Sequence, residues 1–225
     1  MGNARIECAD AGGVFVRTLR WIDALASAAN VTLILDSGTL LGLARDGKRI
    51  PHDDDVDLAV CGMDSMARLQ RVLDSGDFHV WRYAGQPYKL EMPEREGGPW
   101  LPVEVKVFQR SSTDYVCPAI GARRRGGKGV GRAARLRGLA RPLWQRFLSQ
   151  GDAARFPHRL LTRVDHWAVP NQFFDKTKQI DGMNACVVPD DFDGYLTYRY
   201  GNWRGPVQDW ISWRDDGGYR SGPPS

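Results

Sequence analysis

The sequence has few cysteines, and those that it has lie far apart. Cys8, Cys61, Cys117 and Cys186 form no CxxC pair and no Cys/His pairing. Disulfide frameworks and structural zinc sites depend on closely spaced cysteines, so the sequence argues against both. Buried, reduced thiols in a cytosolic protein are the expected state of these residues.

Long apolar runs are also missing. No stretch approaches the roughly 20 apolar residues of a membrane-spanning helix, and the N-terminus lacks the basic region and apolar run of a secretory signal. The 225 residues, 42% of them hydrophobic, can bury one core. We therefore expect a cytoplasmic protein with one domain over residues 1–214. The Gly/Pro/Ser-rich tail at residues 215–225 is predicted to be disordered.

Basic charge is concentrated in one segment. Nine Lys and Arg residues and no acidic residue lie between Gly121 and Arg146, and without them the net charge would be −5 instead of +4. We predict an insertion at about residues 119–150, with a flexible Gly-rich first half and a basic amphipathic helix. Such a helix favours anionic membranes or polyanionic acceptors, which makes residues 121–148 a candidate for peripheral membrane contact. No nucleic-acid motif supports nucleic-acid binding, and a passive insertion is equally consistent with the pattern.

Four aspartates fall within residues 53–57. Asp55 and Asp57 alternate with apolar residues that continue to Val60, which predicts a strand with both carboxylates on one face, about 6.5–7 Å apart. Clustered carboxylates repel each other, so a fold that gathers them normally supplies a cation. Oxygen ligands suit Mg²⁺ or Mn²⁺. The alternative is a solvated acidic turn, which the adjoining strand makes less favourable.

A glycine turn precedes the aspartates. The apolar residues up to Leu35 predict a short strand, and a helix is predicted from Thr39 to Asp46. Gly38 and Thr39 are candidate phosphate contacts, because glycine lets backbone N–H groups approach an anion and a helix N-terminus favours it. An ordinary helix cap explains the same residues equally well.

Together these motifs resemble a known family. Gly38-Thr39 followed by the Asp55/Asp57 pair resembles the nucleotidyltransferase-fold pattern. The longer string GTLLG, Arg45, Ile50-Pro51 and DDDVD is similar to the LicD and fukutin-related family of phosphotransferases. A second string, PDDFDGYLTYRYGNW at residues 189–203, resembles the C-terminal element of that family. The two strings bracket roughly residues 30–205.

The resemblance implies a fold and a set of site residues. It implies an α+β fold with a nucleotidyltransferase-like core, in which a small mixed sheet carries the acids on one face and helices pack on the other. Glu104 lies on a second strand with period-2 alternation and fits the third acidic position. The implied metal ligands are Asp55, Asp57 and Glu104, with Asp53 or Glu104 as the base. Arg45 and Lys106 are candidate substrate-binding cations.

The implied reaction is a phosphoryl transfer. The family resemblance implies that a phosphorylated small alcohol, such as phosphocholine or an alditol phosphate, moves from a CDP-linked donor to a sugar hydroxyl of a glycan or lipid-linked glycan, releasing CMP. Two alternatives stay open. The same fold could transfer a nucleotidyl group from an NTP, or the site could be degenerate in a polyanion-binding or membrane-binding module built around residues 121–148.

Overall fold

A computed structural model describes residues 13–51, 53–73, 77–122, 162–205, 207 and 210–223. Its sheet contains ten strands: β1 (Leu33–Leu35), β2 (Val56–Cys61), β3 (His79–Tyr83), β4 (Gln86–Met92), β5 (Val103–Arg110), β6 (Asp114–Ala122), β7 (Thr162–Pro170), β8 (Thr177–Gln179), β9 (Cys186–Pro189) and β10 (Tyr219–Arg220). They lie in the order β10-β7-β6-β5-β2-β1-β9-β8, and the β3–β4 hairpin pairs with the first half of β5.

The two strands with alternating sequence lie side by side at the centre of the sheet. β2 and β5 are parallel, with Asp57 opposite Glu104 and Ala59 opposite Lys106. Because successive side chains of a strand point to opposite faces, Asp57, Glu104 and Lys106 share one face. The predicted strand is therefore confirmed from Val56 onwards, whereas Asp53 and Asp55 precede it.

The opposite face of these strands is apolar. Val56, Leu58 and Val60 of β2 are fully buried, as are the valines of β5. Among the described residues there are six helices: α1 (Val14–Ala28), α2 (Ser37–Asp46), α3 (Met63–Arg71), α4 (Asn171–Phe174), α5 (Phe192–Tyr200) and α6 (Ser212–Asp215). The apolar face of α1 is buried, including Leu19 and Ile22. Nothing in the described part of the chain is both long and apolar enough to form a membrane-spanning helix.

Helices also cover part of the acidic face. Phe108 shares that face with Lys106, and its ring meets Phe174 of α4 edge-on at 5.3 Å. The ring of Tyr195 in α5 lies 5.7 Å from Phe174. The α+β prediction is confirmed, but the acidic face is only partly open, because α4 and α5 pack onto it as well.

The basic segment falls between two paired strands. β6 and β7 form an antiparallel pair with Ala122 opposite Thr162. Residues 119–122 thus belong to β6, so the predicted insertion starts too early in the sequence. The rest of that insertion and its predicted helix lie outside the described residues.

The C-terminal segment differs from the predicted disordered tail. Asp216 is only 5% exposed, and β10 pairs with β7 at Tyr219 and Arg220. Arg199 of α5 donates to both carboxylate oxygens of Asp216, at 2.7 and 2.9 Å. A buried guanidinium requires counter-charge, and Asp216 supplies it from this segment. The prediction of disorder is therefore wrong for Asp216 to Arg220.

Replacing Asp216 by Ala should destabilise the protein by about 3 kcal/mol, because it removes one of the two carboxylates that pair with the buried guanidinium of Arg199. Urea denaturation provides the measurement. Asp175→Ala is the matched control, since Asp175 also pairs with an arginine, Arg110, but both side chains are more than one-third exposed. That change should cost at most about 1 kcal/mol. Equal losses in the two variants would contradict the structural role of Asp216.

Candidate active site

Asp36 lies at the centre of the site. It follows β1, caps α2 and is completely buried. Its Oδ1 accepts hydrogen bonds from Arg199 Nη1 at 2.9 Å and from the Tyr195 hydroxyl, and Lys106 Nζ lies 3.6 Å from Oδ2. Burial raises the pKa of Asp36, but the charges of Arg199 and Lys106 outweigh it and hold the pKa well below its ordinary value. Asp36 is therefore a permanently ionised carboxylate.

Lys106 lies among three carboxylates. Its Nζ is 2.8 Å from Asp57 Oδ1, 3.6 Å from Asp36 Oδ2 and 3.7 Å from Glu104 Oε1. It also donates to Ser37 Oγ at 3.2 Å. Burial lowers the pKa of the ammonium, but the surrounding carboxylates, Asp57 first, raise it well above its ordinary value. Lys106, the predicted substrate-binding lysine, is thus paired with the carboxylates of Asp57, Asp36 and Glu104 in this structure.

Glu104 is held by two lysines. Lys89 of β4, opposite Lys106 in the sheet, donates to Glu104 Oε2 at 2.8 Å. Burial raises the pKa of Glu104, but Lys106 and Lys89 outweigh it, so that the pKa is lowered overall. The structure brings the predicted third acid beside Asp57, and it adds a positive partner that the sequence analysis missed.

The three aspartates at the start of β2 repel each other. Burial and the neighbouring carboxylates raise the pKa of Asp53 to about 6 and that of Asp55 to about 7. The pKa of Asp57 is also raised. Burial raises it most, the charge of Lys106 lowers it, and the carboxylates of Glu104 and Asp36 raise it again. Within the described residues, Asp53 Oδ2 is buried and accepts no hydrogen bond. This part of the site carries uncompensated negative charge.

The phosphate-binding candidates separate into two groups. Ser37 and Gly38 line a cavity, and a side chain at Gly38 would collide with Asp53. Thr39 is buried instead, and its hydroxyl accepts a hydrogen bond from the Asp57 N–H at 2.9 Å. Thr39 therefore positions Asp57, a different role from the predicted phosphate contact. Arg45 also lines the cavity, but its guanidinium pairs with Asp46 at 2.8 Å.

The cavity has a volume of about 1010 Å³ and two contrasting walls. Predicted site residues form the charged wall: Gly38, Arg45, Asp53, Asp57, Glu104 and Lys106. Asp55 is not among the lining residues, although Asp57, Asp53 and Glu104 lie close enough to contribute, after burial, to its raised pKa. Aromatic side chains form the other wall: Trp167, Tyr200, Trp203, Trp210, Trp213 and Tyr219.

The aromatic wall and the buried ion pairs of Arg199 with Asp36 and Asp216 were not predicted from the sequence. Four of the eight tryptophans line this one cavity, so their concentration after residue 160 was a usable signal. Tyr195 and Arg199 are one helical turn apart, which places both on the face of α5 that meets Asp36. For Asp36, Lys89 and Asp216, only the fold shows the partner.

The carboxylates of the charged wall are the type of ligand that oxygen-preferring divalent cations such as Mg²⁺ take. Asp53 Oδ2 lacks a partner among the described residues, and Asp57 shares its counter-charge, Lys106, with Asp36 and Glu104. Yet no three Asp, Glu, His or Cys side chains of the described chain are already arranged to hold an ion. Asp55 and Asp57 have the ligand chemistry that such a cation takes, while Lys89 and Lys106 already pair with Glu104.

The repulsion predicts how stability depends on pH. The raised pKa values mean that the folded state holds protons on Asp53 and Asp55 more tightly than the unfolded state. In EDTA, stability should therefore fall as pH rises from about 4 to about 7, and should change little above that. Asp55→Asn removes one charge and should stabilise the protein at pH 8 by about 1 kcal/mol after solvent screening, with no gain at pH 4. Thermal unfolding at both pH values measures this, and a loss of stability at pH 8 would contradict it.

Comparisons with known proteins find a family model that matches the part of the chain carrying the charged wall. Residues 30–115 match the family described as LicD/FKTN/FKRP, nucleotidyltransferase domain. No curated protein matches the chain. A solved structure titled "Crystal Structure of ANT(2")-Ia in complex with adenylyl-2"-tobramycin" is similar at 18% identity and a TM-score of 0.34. The match covers 46% of this chain and 55% of that one, so the chain spans about half the length of its solved relative. The family match includes Gly38, Arg45, Glu104 and every aspartate of DDDVD. Residues 30–115 are thus similar to a LicD/FKTN/FKRP nucleotidyltransferase domain, which confirms the resemblance identified from GTLLG and DDDVD.

Proposed function

We propose that the protein is a metal-dependent phosphotransferase. It moves a phosphorylated small alcohol from a CDP-linked donor to a sugar hydroxyl of a glycan or lipid-linked glycan, and releases CMP. The family match supports a phosphotransferase-type role in general. One observation carries the proposal furthest: Asp53, Asp57 and Glu104 share a cavity with the Ser37–Gly38 turn, so acids and an anion-binding turn face the same space.

The donor diphosphate would lie at the Ser37–Gly38 turn. The turn opens α2, whose N-terminal N–H groups favour an anion. Lys106 Nζ, 3.2 Å from Ser37 Oγ, is close enough to pair with a phosphate oxygen there. Arg45 is on the same cavity wall, and its exposed pairing with Asp46 contributes little energy, so a phosphate could replace that partner.

Mg²⁺ or Mn²⁺ would be held by Asp55 and Asp57. Bound there, the ion would offset charge that develops on the transferred phosphate and the departing nucleotide. Glu104 serves instead to hold Lys89 and Lys106, because both lysines already contact its carboxylate. Its predicted role as a metal ligand is thus replaced by a positioning role in this proposal.

Asp53 is the preferred base for the acceptor hydroxyl. It lines the cavity, and its Oδ2 has no hydrogen-bond partner in the described part of the structure. A base must reach the proton that it removes, and Glu104 is less available because of its two lysines.

Membrane or acceptor docking through residues 121–148 remains a separate proposal, since residues 123–161 lie outside the described residues.

The first functional prediction concerns the acids. Asp57→Asn should lower turnover by more than about 100-fold, because the loss of several kcal/mol of metal-derived stabilisation has that effect on rate. Nucleotide release in Mg²⁺ measures turnover, and circular dichroism checks the fold. Asp54→Asn is the matched control: Asp54 lies in the same run but is exposed. Its activity should stay within about threefold of the parent protein, and equal losses in both variants would reject the assigned ligand set.

The second functional prediction concerns the products. Incubation with Mg²⁺, a panel of CDP-alcohols and candidate glycans should give CMP and a glycan that is heavier by the alcohol phosphate. A nucleotidyltransferase would instead consume CTP or ATP, release pyrophosphate and add a nucleotidyl group to its acceptor. Chromatography of the nucleotides and mass spectrometry of the acceptor separate the two outcomes. If every CDP-alcohol stays intact while an NTP is consumed, the proposed donor is wrong.

A further inference from the structure

We propose that the aromatic side of the cavity is the binding site for the nucleobase of the donor nucleotide. Four members of the aromatic wall form this site, and all of them line the cavity: Tyr200, Trp203, Trp210 and Trp213. None of these residues lies within the family match at 30–115. Flat aromatic side chains bind planar bases by stacking, so this wall suits a nucleobase by its chemistry.

Direct contacts connect the aromatic wall to the proposed phosphate site. Arg199 Nη2 lies 3.5 Å from Ser37 Oγ at the anion-binding turn. The same guanidinium lies 5.8 Å from the ring centre of Tyr200, whose ring is 5.0 Å from that of Trp210. The two ends of the cavity are thus separated by one arginine and one tyrosine. A nucleotide with its phosphates at Ser37 would extend along Arg199 towards Trp210.

The aromatic wall contains two hydrogen-bond donors that lack partners. Within the described residues, the indole nitrogens of Trp203 and Trp210 are buried and donate to nothing. Trp203 is only 6% exposed, so water cannot easily satisfy its N–H. A buried polar group without a partner is costly, and native structures rarely leave one unexplained. A base that offers ring nitrogen and carbonyl acceptors would satisfy both indoles after small rotations.

The polarity of the wall favours a base over a sugar ring. Between Trp203 and Trp213, the described cavity-lining residues other than tryptophan are Gly205, Val207 and Ser212. Of these three described residues, only Ser212 has a polar side chain. A pyranose ring carries several hydroxyl groups, each of which needs a donor and an acceptor when it is buried. A base buries two apolar faces and needs polar contacts only at its edge. The volume of about 1010 Å³ lies at the upper end of ordinary ligand cavities of roughly 300–1,000 Å³, and leaves room for an acceptor as well.

The inference deepens the proposed function, because it rests on a nucleotide donor. The experiment is equilibrium binding of CMP in Mg²⁺, measured by calorimetry on the full chain, with CTP, AMP and ribose 5-phosphate for comparison. Trp210→Ala should weaken CMP binding by about 5- to 100-fold, as the loss of one base-stacking partner does. Trp203→Phe keeps an aromatic ring but removes the indole N–H, and should weaken CMP binding by about 2- to 10-fold.

Trp100→Ala is the matched control. Trp100 is 38% exposed, stacks against Arg17 and does not line the cavity. Its replacement should leave CMP affinity within about twofold of the parent value. Ribose 5-phosphate, which lacks a base, should bind equally to the parent and to Trp210→Ala. If Trp210→Ala does not remain folded by circular dichroism, Trp210→Leu tests the loss of the stacking ring and Trp203→Phe tests the loss of the N–H.

The outcomes separate this inference from the proposed reaction. If AMP or CTP binds best and depends on Trp210, the nucleobase site stands and the CDP-linked donor is wrong. If CMP binds but no aromatic-wall variant weakens it, the donor stands and the wall has another role, such as acceptor binding. If the parent protein binds no nucleotide, both conclusions are overturned.

Discussion

A buried ladder of alternating charges holds the candidate site together. It runs from Asp216 through Arg199, Asp36 and Lys106 to Asp57, with successive contacts of 2.7, 2.9, 3.6 and 2.8 Å. Transferring such charges from water into a protein interior costs several kcal/mol each, so a ladder persists only when every member has a partner. The rings of Trp167, Tyr195 and Tyr200 surround the guanidinium of Arg199 and fill the space that water would otherwise occupy. The position of each charged group therefore depends on all the others.

The ladder joins two parts of the chain that lie far apart in sequence. Asp36 and Asp57 lie within the family match at residues 30–115, whereas Arg199 and Asp216 come from the C-terminal elements. Because Arg199 binds carboxylates from both parts, α5 and the segment ending in β10 are fixed against the acidic face. The same attachment brings the tryptophans of residues 203–213 to the opposite side of the cavity. The charged wall and the aromatic wall thus depend on one guanidinium.

Charge is balanced in one half of the site and unbalanced in the other. Lys89 and Lys106 offset Glu104, and Arg199 offsets Asp36 and Asp216. Asp53 and Asp55 have no comparable partner in the part of the chain described, and burial raises the pKa of both. A folding constraint alone would not gather these charges, since neutral side chains would be more stable there. Such local conflict between stability and composition is expected at functional sites.

Much of the local structure was determined by the sequence itself. Period-2 alternation in DDDVDLAV and VEVKVF predicted β2 and β5, because a strand with one buried face has no other simple pattern. The glycine turn and the specific string around it predicted α2 and the family, since these signals are contiguous along the chain. The side chains that share the face of Asp57 followed from the same alternation, once the two strands were paired in register. Contiguous motifs and regular periods can be read without knowing how distant segments meet.

Only the tertiary structure decided which charges pair and what faces the acids. Thr39 has the composition of a phosphate contact, but packing buries its hydroxyl against the Asp57 N–H. The residues from Asp216 to Arg220 look like a polar tail, because sequence alone does not show that Arg199, on a separate helix, requires a buried counter-charge. The tryptophans after residue 160 lack a helical or strand period that would assign them to one cavity. Their convergence opposite Asp57 depends on long-range pairing, whose partners are specified by three-dimensional contact and not by local pattern.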